Sequence, residues 1–262
     1  MITVMGATGN VGRPLVQALA EAGEQVTAIS RQKTADVPAG VRVARDAESA
    51  LDGAKALFLM VPGGFAPLDD LLAAARSSGV GRVVLLSSQG VATGRHPAVL
   101  EDSVRASGLK WTILRPGAFA SNAFQWTESV RTARRVVAPF GDVALPVIDP
   151  EDIVAVAASA LLSDRSGDVH ELTGPAAITP RHQAAAISEA LGEQVTFVPQ
   201  TREEAQAAMM AFMPPEVANV TLNILGAPTP REQQVSPDVA QILGRPPRPF
   251  TAWATRNAGA FK

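Results

Sequence analysis

The sequence predicts an α/β fold with a doubly wound parallel sheet and a small, mostly helical lobe toward the C-terminus. Three observations support this prediction. Short apolar segments alternate with helical segments up to Pro116, and such alternation is typical of parallel sheets with helices on both faces. A glycine-rich turn joins the first predicted strand to the first predicted helix. Beyond Pro116 the alternation weakens, and helical and proline-rich segments dominate the last part of the chain.

The elements follow in order. ITVMGATGNVGRPLVQALAEAGEQVTAISR predicts a strand, a turn, an amphipathic helix ending at Gly23 and a strand containing the β-branched Val26 and Ile29. Further strands are predicted at VRVA, ALFLMVP, RVVLLSS and WTILRP, with helices at AESAL, APLDDLLAAARSSG and HPAVLEDSVRASG between them. Residues 117–146 are interpreted as an excursion from the sheet, before a capped helix DPEDIVAVAASALLS and a last strand DVHELTG. We therefore expect one domain at 1–174 and a small lobe at 175–262, to which the excursion contributes.

Composition excludes several classes of protein. The chain is 47% hydrophobic and 18% charged, with a formal net charge of -2 and no cysteine. No apolar run approaches the roughly 18 residues of a membrane span, and no basic block predicts nucleic-acid binding. Disulfides and thiolate metal sites are excluded. No basic segment or cleavage site precedes the strand that begins at Ile2, so we expect no export signal and a cytoplasmic location.

The glycine turn predicts dinucleotide binding. Gly6, Gly9 and Gly12 lie between a strand and a helix, the context in which glycines give a tight turn, a close approach to a pyrophosphate and close packing of the helix. The amino end of the helix then offers N–H groups to the phosphates. The alternative is a glycine turn without a ligand.

The residues after the second predicted strand favour NADP(H). A site for NAD(H) usually has an Asp or Glu there for the ribose 2′-hydroxyl, whereas this chain has Ser30 and Arg31, with Lys33 close by. A guanidinium can pair with a 2′-phosphate that a carboxylate would repel. The alternative is that Arg31 is a solvated charge.

Five motifs occur in order along the chain. They are GATGNVG near the N-terminus, LLSS at 85–88, RASGLKWTILRPGAFASN at 105–122, DPEDIVAVAASAL at 149–161 and HELTGP at 170–175. Together they resemble the NmrA-like atypical short-chain dehydrogenase/reductase family, and in particular its NADPH-dependent quinone-reductase-like members. The resemblance covers most of residues 1–190 and implies a Rossmann-like cofactor domain at 1–174, with a substrate lobe at 175–262.

The resemblance also implies roles for individual residues. The residues implied to form the turn at the cofactor are Gly6, Thr8, Gly9, Asn10, Val11 and Gly12, and Arg31 is implied to bind the 2′-phosphate. The residues implied to lie alongside the cofactor are Val61, Pro62, Gly63, Ser87 and Ser88. The residues implied to border the nicotinamide are Pro116, Gly117, Ala118 and Phe119. Asn122 is implied at the edge of the substrate pocket.

The usual catalytic pair of short-chain dehydrogenases is missing. The chain has no tyrosine, and residues 90–108, where the Tyr and Lys should lie, contain no lysine. Tyr-dependent carbonyl reduction is therefore excluded. A quinone or a conjugated enone remains a suitable acceptor, because its developing charge is delocalised and the cofactor carries the difficult chemistry.

Three residues are candidates for catalysis. Ser87 and Ser88 end a predicted strand at the edge where ligands of open α/β sheets bind, although either hydroxyl could instead bond only the next turn. His96 has a side chain suited to proton donation near neutral pH, although Pro97 after it also suits a helix start.

Other titratable residues have structural interpretations. Glu101 and Arg105 are spaced as a surface i, i+4 pair. Asp149 and Asp152 fit the cap and first turn of a helix that has Pro150 at its first position. His170 and His182 have no third ligand nearby, so no metal is expected.

An apolar set of residues predicts the substrate pocket. The residues assigned to it are Asn122, Phe124, Trp126, Met210 and Met213, and Phe119, Met209 and Phe212 belong to the same apolar lobe. Such a set suits a flat hydrophobic ligand, although core packing would give the same pattern. Arg131, Arg134 and Arg135 are either a solvated helix face or a patch that attracts an anionic ligand.

The function predicted is NADPH-dependent reduction of a quinone or conjugated carbonyl compound. Two alternatives stay open: a dinucleotide-binding redox sensor without turnover, and a dedicated reductase or isomerase of one biosynthetic intermediate. The partners expected are a small hydrophobic or aromatic substrate and a second copy of the chain in a homodimer, without nucleic acid or membrane.

Overall fold

The chain divides into two compact units. The computed structural model describes residues 1–30, 37–61 and 66–262. The first unit consists of Met1–Pro116, Pro150–Leu172 and Asp238–Arg245, and the second of Gly117–Asp149, Thr173–Pro237 and Pro246–Lys262.

The secondary structure alternates as predicted up to Pro116. The strands are β1 (Ile2–Val4), β2 (Val26–Ile29), β3 (Arg42–Ala44), β4 (Ala56–Leu59), β5 (Arg82–Leu86), β6 (Lys110–Pro116), β7 (Arg135–Ala138), β8 (Asp168–Leu172) and β9 (Thr196–Pro199). The helices are α1 (Gly12–Glu21), α2 (Ala47–Leu51), α3 (Asp69–Ser77), α4 (Gln89–Ala92), α5 (Val99–Ala106), α6 (Thr127–Ala133), α7 (Pro150–Leu162), α8 (Pro180–Leu191), α9 (Arg202–Met209), α10 (Pro215–Gly226), α11 (Pro230–Gln233), α12 (Asp238–Leu243) and α13 (Phe250–Asn257), with 3₁₀ helices at Ala120–Trp126 and Ala258–Phe261. Within the described ranges, no helix has the length and apolar character needed to cross a bilayer.

A parallel sheet forms the centre of the first unit. Among the described residues its strand order is β3-β2-β1-β4-β5-β6-β8, and each neighbouring pair is parallel. The chain proceeds from β1 to β3 on one side and from β4 onward on the other, so the winding direction reverses between β1 and β4. Ligands of such sheets bind at the carboxyl ends of the strands near this reversal. The predicted doubly wound, Rossmann-like fold is confirmed.

The core explains why the central strands are apolar throughout. Leu57, Val84 and Ile113 of β4, β5 and β6 are fully buried, because helices flank the sheet. α7 packs with α1 and against β4 and β5, while α5 packs with α3 and against β5 and β6.

Part of the predicted C-terminal lobe belongs to the sheet unit. Asp238 of α12 accepts a hydrogen bond from the backbone N–H of Glu171 in β8 at 2.8 Å. Arg245 donates to the fully buried carboxylate of Asp152 in α7 at 2.7 Å. Segment 238–245 is thereby tied to the first unit, whereas the sequence boundary assigned it to the lobe.

The carboxylate predicted to cap α7 lies in the second unit and is also buried. α7 begins at Pro150 as predicted. Asp149 is 1% exposed, and Nη2 of Arg256 donates to both of its carboxylate oxygens at 2.9 and 2.6 Å. The arginine partners of Asp149 and Asp152 come from the C-terminal tail, so local spacing gave no sign of them.

The second unit contains a strand pair that the sequence did not predict. β7 and β9 pair in parallel, with Val136 opposite Phe197. Around them lies a core that includes Trp126, Ile187 and Trp253. Four-residue strands with a distant partner carry no local periodic signal, so this lobe was interpreted as helical.

Candidate active site

The glycine turn follows β1 at the point where the winding direction reverses. Gly6 has a φ of +76°, which favours glycine, and its carbonyl accepts the N–H of Gly9 at 3.0 Å. A Cβ at Gly12 would overlap the backbone of Gly6 and Ala7, so only glycine lets α1 begin against the turn. This geometry fits a dinucleotide, because a tight turn leading into a helix brings backbone N–H groups to a pyrophosphate.

The side chain of Met60 packs against the glycine turn, and the sequence pattern did not predict this contact. Met60 follows β4, and its Cε lies 2.7 Å from where a Cβ of Gly6 would be and 2.9 Å from where a Cβ of Gly9 would be. Glycine at these positions therefore also makes room for a neighbouring side chain.

We expect Gly12→Ala to destabilise the protein by about 1–3 kcal/mol, as overpacking does, and to abolish NAD(P)H binding. The added Cβ meets backbone, which cannot rotate away. Gly81→Ala is the matched control, because its Cβ would lie 3.8 Å from the nearest atom, the Lys55 carbonyl oxygen. Urea unfolding and NADPH fluorescence titration measure both effects. Parental binding by Gly12→Ala would contradict this reading of the turn.

Several predicted cofactor residues cannot be placed. Arg31, Lys33, Pro62 and Gly63 lie outside the described residues. Val61 is half-buried directly after Met60.

Ser87 belongs to a buried charged network at the ends of β5 and β6. Its hydroxyl donates to Oε1 of Glu101 at 2.7 Å. Nε and Nη2 of Arg115 donate to the two oxygens of the same carboxylate at 2.8 and 2.6 Å, and Arg105 lies 3.0 Å from it. Glu101 is 0% exposed, so the prediction that it forms a surface pair is wrong. The pair with Arg105 exists, but Glu101 lies on the buried face of α5.

The network controls the protonation of Glu101. Burial raises the pKa of Glu101, but hydrogen bonds from Arg115 and Ser87 lower it. The charges of Arg115 and Arg105 act in the same direction, and the net pKa lies below its ordinary value. Hydrogen bonding to Glu101 in turn raises the pKa of Arg115. Glu101 is therefore an ionised anchor for the Ser87 hydroxyl.

Ser88 and His96 contact each other beside this network. Ser88 caps α4, its Oγ accepting the N–H of Gly90 at 3.0 Å, and Nδ1 of His96 lies 3.1 Å from the same Oγ. A Cβ at Gly90 would lie 2.5 Å from that Nδ1, so glycine makes room for the ring. α5 begins at Val99 rather than at Pro97, so His96 lies before the helix start, in the segment that folds back onto Gly90.

An apolar cavity of about 310 Å³ lies within the second unit. Of the predicted pocket residues, Asn122, Trp126 and Met213 line it. The other lining residues are Ala118, Phe119, Ala123, Gln125, Ala138, Pro139, Val143, Leu145, Val147, Ile178, Pro180, Gln183, Met209, Phe212, Thr221 and Leu225.

Two of the predicted pocket residues are absent from the cavity lining that the structure describes. Phe124 is 41% exposed and packs on Trp253 and Phe261, with ring centroids 5.0 and 6.1 Å away. Met210 is 48% exposed and is not part of the lining. Both follow neighbours that do line the cavity, and the turn of the helix directs them away.

The other predicted polar residues have structural partners. Arg134 ends α6 with a φ of 51° and pairs with Glu193 at 2.6 Å. Nδ1 of His170 lies 3.7 Å from Asp238, and the N–H of His182 is capped by Thr179. Among the described residues no cluster of His, Asp and Glu could hold a metal ion.

Comparisons with known proteins define the class. A family model described as NAD(P)H-binding matches residues 6–164. The (4-alkanoyl-5-oxo-2,5-dihydrofuran-3-yl)methyl phosphate reductase of Streptomyces griseus is 36% identical, over 100% of this chain and 99% of its own length. The NAD(P)H azoreductase of Xenophilus azovorans is 32% identical over the same shares. The crystal structure of an NADPH-dependent quinone oxidoreductase from Escherichia coli has a TM-score of 0.80 at 24% identity, covering 98% of this chain and 99% of that one.

The fold, the glycine turn and these relatives define an NAD(P)H-dependent oxidoreductase. The chain belongs to this NAD(P)H-binding family. The resemblance to NmrA-like atypical short-chain dehydrogenases/reductases is confirmed.

Proposed function

We propose that the protein transfers hydride from NADPH to a quinone or conjugated carbonyl compound without a Tyr-Lys pair. The observation that carries this proposal is the Ser88–His96 contact at the carboxyl end of β5, in a chain without tyrosine. Two relatives that match over their full length and are named as reductases of a furanone and of azo compounds support it, since the furanone of the first name is a conjugated carbonyl compound. The cavity in the second unit favours an enzyme over a sensor, because it leaves room for a substrate.

The glycine turn would hold the diphosphate of the cofactor. The amino end of α1 provides backbone N–H groups at the reversal of the sheet, and Gly6 and Gly9 present no side chain that would block the diphosphate. The bound nicotinamide supplies the hydride. Ala118 and Phe119, which the resemblance puts beside the nicotinamide, also line the apolar cavity, which supports this cavity as the acceptor site.

Ser88 and His96 are proposed to handle the proton. When Nδ1 carries the hydrogen and donates to Oγ of Ser88, the Ser88 O–H can stabilise the oxygen on which negative charge develops. When Ser88 donates to Nδ1 instead, Nε2 of His96 carries the hydrogen and can donate it. A quinone that receives hydride and one proton becomes a hydroquinone. Because the Ser87 hydroxyl donates to Glu101, Ser87 is proposed to position the loop.

The proposal is tested by following NADPH oxidation with a panel of quinones and enones. We expect turnover with at least one acceptor, and a higher kcat/KM for NADPH than for NADH. Arg31→Ala should remove most of that preference, because a guanidinium on the 2′-phosphate contributes about 1.5–3 kcal/mol. Tight NADPH binding without turnover of any acceptor would favour the sensor. Equal affinity for both cofactors would contradict the role of Arg31.

The remaining sequence predictions, a cytoplasmic location and a homodimer, stay predictions.

A further inference from the structure

We propose that the cavity of the second unit takes an uncharged, flat and largely apolar acceptor and selects against acceptors that carry a phosphate, sulfonate or carboxylate group. This inference rests on the proposed function, in which the cavity is the acceptor site. It adds the charge of the acceptor, for which the lining of this cavity predicts a preference opposite to the phosphate ester in the name of the Streptomyces griseus reductase.

Within the part of the chain that the structure describes, the lining of the cavity is uncharged. Aromatic and apolar side chains form most of it, and its polar side chains among the described residues are Asn122, Gln125, Gln183 and Thr221. Amides and hydroxyls can bond the carbonyl oxygen of a neutral ring. An anion placed there would lose its water without gaining a cation, which is costly in an apolar site.

The helix end at the cavity cannot replace a cation either. α8 begins with Pro180, which lines the cavity and has no N–H. The next three N–H groups are bonded within the protein: Arg181 donates to Gly141 at 3.2 Å, His182 to the Thr179 hydroxyl at 3.1 Å and Gln183 to the Thr179 carbonyl at 2.9 Å. An anion at this helix start would have to displace these bonds.

The arginine in the same turn is already paired. Nε and Nη2 of Arg181 donate to the two carboxylate oxygens of Asp142 at 3.0 and 3.2 Å. Its guanidinium also lies 4.7 Å from the centre of the Phe197 ring. Because Asp142 neutralises it, Arg181 supplies no unbalanced positive charge. This contrasts with the Streptomyces griseus reductase, whose name specifies a phosphate ester.

The test uses 1,4-naphthoquinone and its 2-sulfonate, which share one ring system and differ in charge. Binding of each to the full-length protein saturated with NADP⁺ is measured by calorimetry, and turnover with NADPH is measured separately. We expect the neutral ring to bind at least about tenfold more tightly, a difference of about 1.4 kcal/mol. The sulfonate group makes the ring the stronger hydride acceptor, so intrinsic reactivity cannot produce a preference for the neutral ring.

Two variants make the charge argument explicit. Gln183→Lys adds a cation to the lining and should reduce or reverse the preference, whereas Gln183→Met keeps the lining neutral and should retain it. Equal or tighter binding of the sulfonate to the parent protein would overturn the inference, and so would binding of neither ring. Binding of the neutral ring without turnover of any quinone or enone in the panel would support the inference and overturn the proposed function.

Discussion

Replacing Glu101 with leucine is expected to lower the free energy of unfolding by about 3–5 kcal/mol, because breaking a buried ion pair leaves its partner charge uncompensated. The carboxylate is 0% exposed and joins Arg115, Arg105 and Ser87. Leucine would leave the Arg115 guanidinium, whose side chain is 15% exposed, without this acceptor. Urea unfolding at neutral pH measures the loss.

The neighbouring Asp102 provides the control. Its side chain is 72% exposed and 3.9 Å from Arg105, so Asp102→Asn should change stability by no more than about 0.5 kcal/mol. Glu101→Gln, which keeps the shape but not the charge, should fall between the two. A Glu101→Leu protein as stable as the Asp102→Asn protein would show that the network contributes no net stability.

The same network predicts a pH dependence. The pKa of Glu101 is lower in the folded protein than its ordinary value, so the folded state favours the ionised form. The stabilisation is therefore fully present above the ordinary glutamate pKa and is lost as the pH falls through the lowered one. The stability difference between the parent and Glu101→Gln should shrink across that acidic range. A difference that is constant with pH would contradict the assignment.

Removing the imidazole of His96 or the hydroxyl of Ser88 is expected to lower kcat about 100-fold or more, the usual contribution of a positioned proton donor. For His96→Ala, NADPH affinity should stay unchanged, because His96 is not among the residues assigned to the cofactor. Gly90→Ala should reproduce the loss with both groups present, since its Cβ would lie 2.5 Å from Nδ1 and push the ring away from Ser88. Stopped-flow NADPH oxidation with a saturating quinone measures all three variants.

His182 is the matched control for His96. It is exposed at the start of α8, and its backbone rather than its side chain makes the cap with Thr179, so His182→Gln should keep the parental kcat. If Ser88→Ala and His96→Ala both retained the parental rate, the assignment of the proton to these two groups would be wrong.

The sequence was sufficient where the signal was local. The turn at Gly6 and Gly12, the helix after it and the alternation up to Pro116 follow from residues within a few positions of one another. The carboxyl-edge position of Ser87 and Ser88 follows because strands of a parallel sheet end at one edge. The start of α7 at Pro150 was likewise readable from its capping residues.

The sequence was insufficient where a residue's role depends on a distant partner. Helical spacing predicts the pair of Glu101 with Arg105. It does not show that Arg115 of β6 also binds the Glu101 carboxylate, or that this carboxylate is buried. The contact of His96 with Ser88 requires a loop that closes over Gly90.

The sequence by itself determined the fold class of this protein and its glycine turn, because periodic burial and glycine turns are specified by neighbouring residues. Only the tertiary structure decided which side chains line the apolar cavity of the second unit, such as Gln183 and Leu145 rather than Phe124, and that this lining is uncharged among the described residues. Burial and charge pairing depend on segments that meet across long stretches of chain, and a local pattern does not carry that information.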